Sequence, residues 1–213
     1  MKGRWVYAVA ALVLLSSCDR NPLFMRLGAD YYPVASIGSQ WEYSIDGGGS
    51  VIVTVIDQTI IGDRSCYRLQ TGADYSYWIN SEGRLEHFED HTVLFNGYEV
   101  PVYEAWVTYL DWPLTVGCSI SDSVSTFTVS QGVTISHDWT RTTTVDGIGT
   151  VNGWSDCYHL TQTETAVDWI QTGGFAPETS VVSRDIWLAP DVGMVVKATP
   201  DSVLTLQSYS PGS

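Results

Sequence analysis

His87-Phe88-Glu89-Asp90-His91 places two imidazoles and a carboxylate at alternate positions. Side chains alternate between faces in an extended chain, so His87, Glu89 and His91 would project together from a strand. Two imidazoles and one carboxylate suit zinc or another transition metal, and they leave a coordination position open for water. A hairpin turn is the competing reading. Residues 84–88 and 92–95 each read as a strand, and Glu89-Asp90 between them would break the alignment. The turn reading is preferred, and it leaves no assigned metal ligand.

Other chemistry-bearing patterns are sparse. Gly147-Ile148-Gly149-Thr150-Val151-Asn152-Gly153 has the wrong spacing for a dinucleotide loop, and strand-like flanks replace the helix whose N-terminus would hold pyrophosphate. Gly-x-Ser-x-Gly, EF-hand and P-loop patterns are absent, and nothing local supports a Ser-His-Asp triad. No residue is assigned to catalysis or to a cofactor. Trp41, Trp78, Trp106, Trp112, Trp139, Trp154, Trp169 and Trp187 spread along the chain. They read as core filling for a thin β structure, with sugar stacking as the alternative and Trp154 and Trp169 as its best candidates.

Leu15-Ser16-Ser17-Cys18 closes a short apolar stretch that follows Lys2 and Arg4. This reads as a signal peptide over residues 1–17 and a lipobox, with Cys18 as the lipid attachment site. The motif resembles that of bacterial lipoproteins and implies a cell-envelope location facing the periplasm or exterior. Residues 18–30 would be the lipidated cysteine and its tether, reaching roughly 40 Å when extended. The formal charge of −14 becomes about −16 once Lys2 and Arg4 are removed. Such a polyanion excludes nucleic acid as a partner, because it cannot release the counterions condensed on a phosphate backbone. The acidity reads as a solubility surface, with affinity for divalent cations as the sharper alternative. Cys66, Cys118 and Cys157 remain, and Cys66 and Cys157 read as buried apolar side chains rather than a bridge.

From Tyr31 onward, runs of Thr, Val, Ile, Tyr and Trp alternate with turn residues. Strands are expected at 50–57, 66–70, 75–80, 84–88, 92–95, 123–130, 139–145, 157–163, 181–188, 193–198 and 203–209. The turns between them include Asp46-Gly47, Ser81-Glu82-Gly83, Asn96-Gly97, Asp146-Gly147, Asn152-Gly153 and Pro190-Asp191. The fold class is all-β: a curled antiparallel sheet or half-barrel, one domain over 31–213.

An internal repeat, approximately 31–97 and 110–198, supports two related β units. Tyr32-Pro33-Val34 with Gly38 matches Trp112-Pro113-Leu114 with Gly117. Val55-Ile56-Asp57 before Cys66-Tyr67-Arg68-Leu69 matches Thr144-Val145-Asp146 before Cys157-Tyr158-His159-Leu160. Tyr77-Trp78-Ile79 with Gly83 matches Ile186-Trp187-Leu188 with Gly193. Two such units can pair edge to edge around one core.

The Tyr-Tyr-Pro-x4-Gly-x2-Trp-x-Tyr run at 31–43, the Asp156-Cys157-Tyr158-His159-Leu160 pattern, Ile186-Trp187 and residues 192–197 are similar to motifs of an uncharacterised group of exported bacterial β-rich lipoproteins. That group resembles the lipoprotein-carrier (LolA/LolB-like) half-barrel, and the resemblance implies a curled sheet with an apolar concave face. The expected function is a non-catalytic binding or scaffold module, held to the membrane by its lipid and taking an apolar ligand or a protein partner. A carbohydrate-binding protein is one alternative, and a hydrolase with a loop-built site is the other.

Overall fold

The computed structural model describes residues 31, 36–81, 83–171 and 176–212. Cys18 and the rest of the lipobox, the tether, and Tyr32-Pro33-Val34 lie outside the described residues. The strands are β1 (Gln40–Ile45), β2 (Ser50–Ile61), β3 (Arg64–Thr71), β4 (Asp74–Ser81), β5 (Arg84–Phe95) and β6 (Tyr98–Asp111), then β7 (Ser119–Ser130), β8 (Val133–Val151), β9 (Trp154–Gln171), β10 (Glu178–Ala189), β11 (Gly193–Thr199) and β12 (Ser202–Ser210).

Each strand pairs antiparallel with the next in sequence within two runs, β1–β6 and β7–β12. β1 then pairs with β12, giving one 12-stranded sheet in the order β6-β5-β4-β3-β2-β1-β12-β11-β10-β9-β8-β7. The sheet curls into a nearly closed barrel with an unsealed seam between β6 and β7. At that seam the backbone N–H of Thr108 on β6 donates to Asp122 Oδ2 on β7 at 2.6 Å. The all-β expectation holds, and the sheet curls further than a half-barrel.

The two runs place related residues alike. Cys66 lies on β3 and Cys157 on β9, the third strand of each run, and both are buried free thiols. Cys66 and Cys157 therefore bridge neither each other nor Cys118. Burial pushes the pKa of the Cys66 and Cys157 thiols up, which suits inert packing. Val55 faces Leu69 across the β2–β3 ladder, Val145 faces Leu160 across β8–β9, and the register slips directly after each valine. The structural counterpart of Val55 is therefore Val145, not the Thr144 to which the sequence match assigned it.

Three sequence readings need correction. Residues 84–88 and 92–95 are one continuous strand, β5, so Glu89-Asp90 is not a turn. Asp146-Gly147 is not a turn either; it sits in a bulge within β8, where one extra residue breaks the register. β1 and the 14-residue β6 lie outside the expected strands, and β8 and β9 extend well past their expected bounds. Asn96-Gly97 and Asn152-Gly153 are hairpin turns as expected, with φ of 51° and 80° in the first pair and 50° and 85° in the second. Positive φ at both positions matches the twist of the flanking strands, and Asn and Gly tolerate it best.

The interior is layered. A large apolar cluster includes Trp41, Val55, Leu69, Leu85, Val145, Leu160 and Ile186. A small one comprises Phe95, Val100, Val102 and Ile135. Three strands run from one cluster to the other with polar inward positions between. The sequence is Leu85, His87, Glu89, His91, Val93, Phe95 along β5. It is Ile135, His137, Trp139, Arg141, Thr143, Val145 along β8, and Leu160, Gln162, Glu164, Ala166, Asp168, Ile170 along β9. Period-two alternation turns every one of these side chains inward.

Candidate functional site

The polar layer is built by contacts across the barrel, from β5 to β8 and β9, which are not its neighbours in the sheet. Glu89 on β5 accepts from Nη2 of Arg141 on β8 and meets Nδ1 of His87 at 2.9 Å. Arg141 lies under the rings of Trp139 and Tyr109, 4.7 and 5.5 Å from their centroids. On β10, Nη1 of Arg184 donates to Glu164 Oε2 at 2.8 Å and to Gln162 Oε1 at 3.2 Å. Gln162 in turn donates to Thr143 Oγ1 at 3.1 Å. Glu89, Arg141, Gln162, Glu164 and Arg184, with Lys197 of β11, are among the residues that line a cavity of about 290 Å³.

Charge in this layer is unevenly matched. Burial alone would raise the Glu89 carboxyl, but the His87 hydrogen bond and charge, with the Arg141 guanidinium, hold it down to about 2. Glu164 is also lowered, because the Arg184 hydrogen bond and the charges of Arg184 and Arg141 outweigh its burial. Burial, reinforced by the Arg184 charge, pushes the Lys197 ammonium down. Among the described residues lining the cavity, the three cations Arg141, Arg184 and Lys197 meet two carboxylates, Glu89 and Glu164. The Arg141 side chain is 5% exposed, yet its Nε and Nη1 have no hydrogen-bond partner. The Glu164 carboxylate is 3.6 Å from Nε, near enough to pair in charge but not to accept a hydrogen bond.

One side-chain layer further toward the small apolar cluster is a second group. Asp168 on β9 faces His137 on β8 in the ladder, and its Oδ1 lies 2.7 Å from His137 Nδ1. The same Oδ1 is 3.2 Å from Nε2 of His91 on β5. The two imidazoles stack at 4.1 Å, and Tyr103 of β6 stacks on His137 at 5.1 Å. A pocket of about 390 Å³ opens beside His91 and Asp168, with Glu178 and Ser180 of β10 on its wall.

His87, Glu89 and His91 do share one face of a strand, but they are not one centre. Glu89 draws His87 into the Arg141 network, and His91 joins His137 and Asp168. Arg141, Glu164, Arg184, His137 and Asp168 were missed from sequence. The available signal was the alternation along residues 135–145 and 160–170, where charged side chains take core positions. Trp41, Trp78, Trp112 and Trp139 are buried, and Trp154 packs against the large cluster. Trp169 is exposed, on the outward face opposite Ser136.

No protein-family model matches the chain, and no curated protein or solved structure matches it.

Proposed function

We propose that this is a lipid-anchored protein of the bacterial cell envelope whose barrel binds a small anionic ligand without covalent chemistry. The observation that carries the ligand class is the buried Arg141 guanidinium, with two nitrogens lacking partners in a cavity shared with Arg184 and Lys197. Leaving buried charged donors unsatisfied costs several kcal/mol. A carboxylate, phosphate or sulfate group there would remove that cost with charge-assisted hydrogen bonds. The charged interior suits such a ligand better than an apolar one, although the curled sheet fits the resemblance to lipoprotein carriers. The anchor rests on Leu15-Ser16-Ser17-Cys18.

The test is thermal denaturation of the purified protein with inorganic phosphate, sulfate, succinate and glucuronate at constant ionic strength. At hundredfold excess over its dissociation constant a ligand stabilises by roughly 2.7 kcal/mol, and each kcal/mol raises the midpoint by about 2–4 °C. At least one anion should produce such a shift, and Arg141→Gln should remove it. A midpoint unmoved by every anion would end the reading. The anchor is tested separately. Cys18→Ser should abolish fatty-acid labelling, and equal label on both forms would contradict the lipid assignment.

A further inference from the structure

We propose that His91, His137 and Asp168 form a binding site for a divalent transition metal, zinc above all, separate from the Arg141 cavity. The three donors come from β5, β8 and β9 respectively and lie within 4.8 Å of one another. His91 Nε2 and His137 Nδ1 both point at one oxygen, Asp168 Oδ1, at 3.2 and 2.7 Å. Donors held at zinc-bond lengths around a tetrahedral ion stand about 3.4 Å apart. His91 reaches that value with about 0.2 Å of opening and His137 with about 0.7 Å, which rotation of the Asp168 carboxylate and the exposed-side His91 supplies.

The surroundings favour a metal over a plain hydrogen-bonded cluster. His137 is almost completely buried, and its ring packs in a three-ring cluster with His91 and Tyr103. Phe95, Val100, Val102 and Ile135 form the apolar layer that flanks this end of the interior. A buried imidazole beside an apolar layer limits competition from water on that side of the site. The pocket of about 390 Å³ adjoins His91 and Asp168, so the fourth position is open to water or to a ligand atom. Glu178 faces Asp168 across the β9–β10 ladder and lines that pocket, a second carboxylate on the open side. Two imidazoles with one carboxylate select zinc and its neighbours; calcium and magnesium prefer all-oxygen cages.

The test uses the full chain, stripped with chelator and titrated with Zn(II) by calorimetry, with Co(II) as a visible-absorption probe of the ligand field. One equivalent should bind, and the melting midpoint should rise by roughly 5–10 °C at hundredfold excess over the dissociation constant. Because His137 is buried and its loss threatens folding, the decisive variants are the near-isosteric Asp168→Asn and His91→Gln, each checked for an unchanged far-ultraviolet spectrum. Each should weaken zinc at least tenfold and erase the cobalt bands. Arg141→Gln, which should lose the anion response, should keep the metal. Absence of a stoichiometric equivalent would overturn the proposal. So would zinc binding that survives both variants, or an equal response to calcium, since either would place the ions on the acidic surface.

Discussion

Glu89 shows how much one side chain depends on residues distant in the chain. Its carboxyl is held at about 2, against 4.5 for the free group, by His87 and by Arg141, which lies 52 residues further along. A carboxyl lowered in the folded state adds stability that is fully present above pH 4.5 and is lost as pH falls toward 2. At about 1.4 kcal/mol per pKa unit, the amount is on the order of 3 kcal/mol. Glu89→Gln should therefore lower the neutral-pH midpoint by roughly 6–12 °C and flatten the acid limb between pH 4.5 and 2. Melting curves of the two proteins across that range check it. Superimposed curves would mean that Arg141 draws no net stability from Glu89.

At the scale of elements, β5 and the bulge in β8 show where local reading misleads. Glu89-Asp90 looks like a turn because two adjacent carboxylates disfavour a strand locally. In the barrel Asp90 faces water and Glu89 faces Arg141, so alternation resolves both charges. Asp146-Gly147 looks like a turn by composition, yet Gly147 has no positive φ, and a Cβ there would meet open space. Gly153, in a true hairpin turn, has φ of +85°. Gly147→Ala should thus be neutral or stabilising by up to about 1 kcal/mol, while Gly153→Ala should destabilise by at least 1 kcal/mol. Urea denaturation of both variants measures this, and equal effects would contradict the bulge. In the small apolar cluster, Ile135→Ala removes a fully buried side chain and should cost about 2–5 kcal/mol.

The whole molecule is a barrel sealed at β1–β12 and open at β6–β7. Unpaired edge amides exchange hydrogen faster than those inside a ladder, because local opening costs them little. Seam-facing amides of β6 and β7 should therefore exchange well before those of β1 and β12. The Thr108 amide, held by Asp122, should be protected relative to its seam neighbours and should lose that protection in Asp122→Ala. Amide exchange read residue by residue decides this. Uniform protection on both junctions would mean that the barrel is sealed all round.

Much of this architecture is legible along the chain. Period-two patterning and the Asn-Gly pairs identify an all-β meander, and the repeated Cys-Tyr-x-Leu places β3 and β9 correspondingly. These signals are local, since alternation and turn chemistry need only a few neighbouring residues. The charged layer was not legible. His91, His137 and Asp168, like Glu89, Arg141 and Glu164, come together only when the sheet curls and brings β5 opposite β8 and β9. Which face of β5 turns inward follows from its own alternation. Which partners it meets there depends on the curvature and register of the whole sheet, to which residues far apart in sequence all contribute.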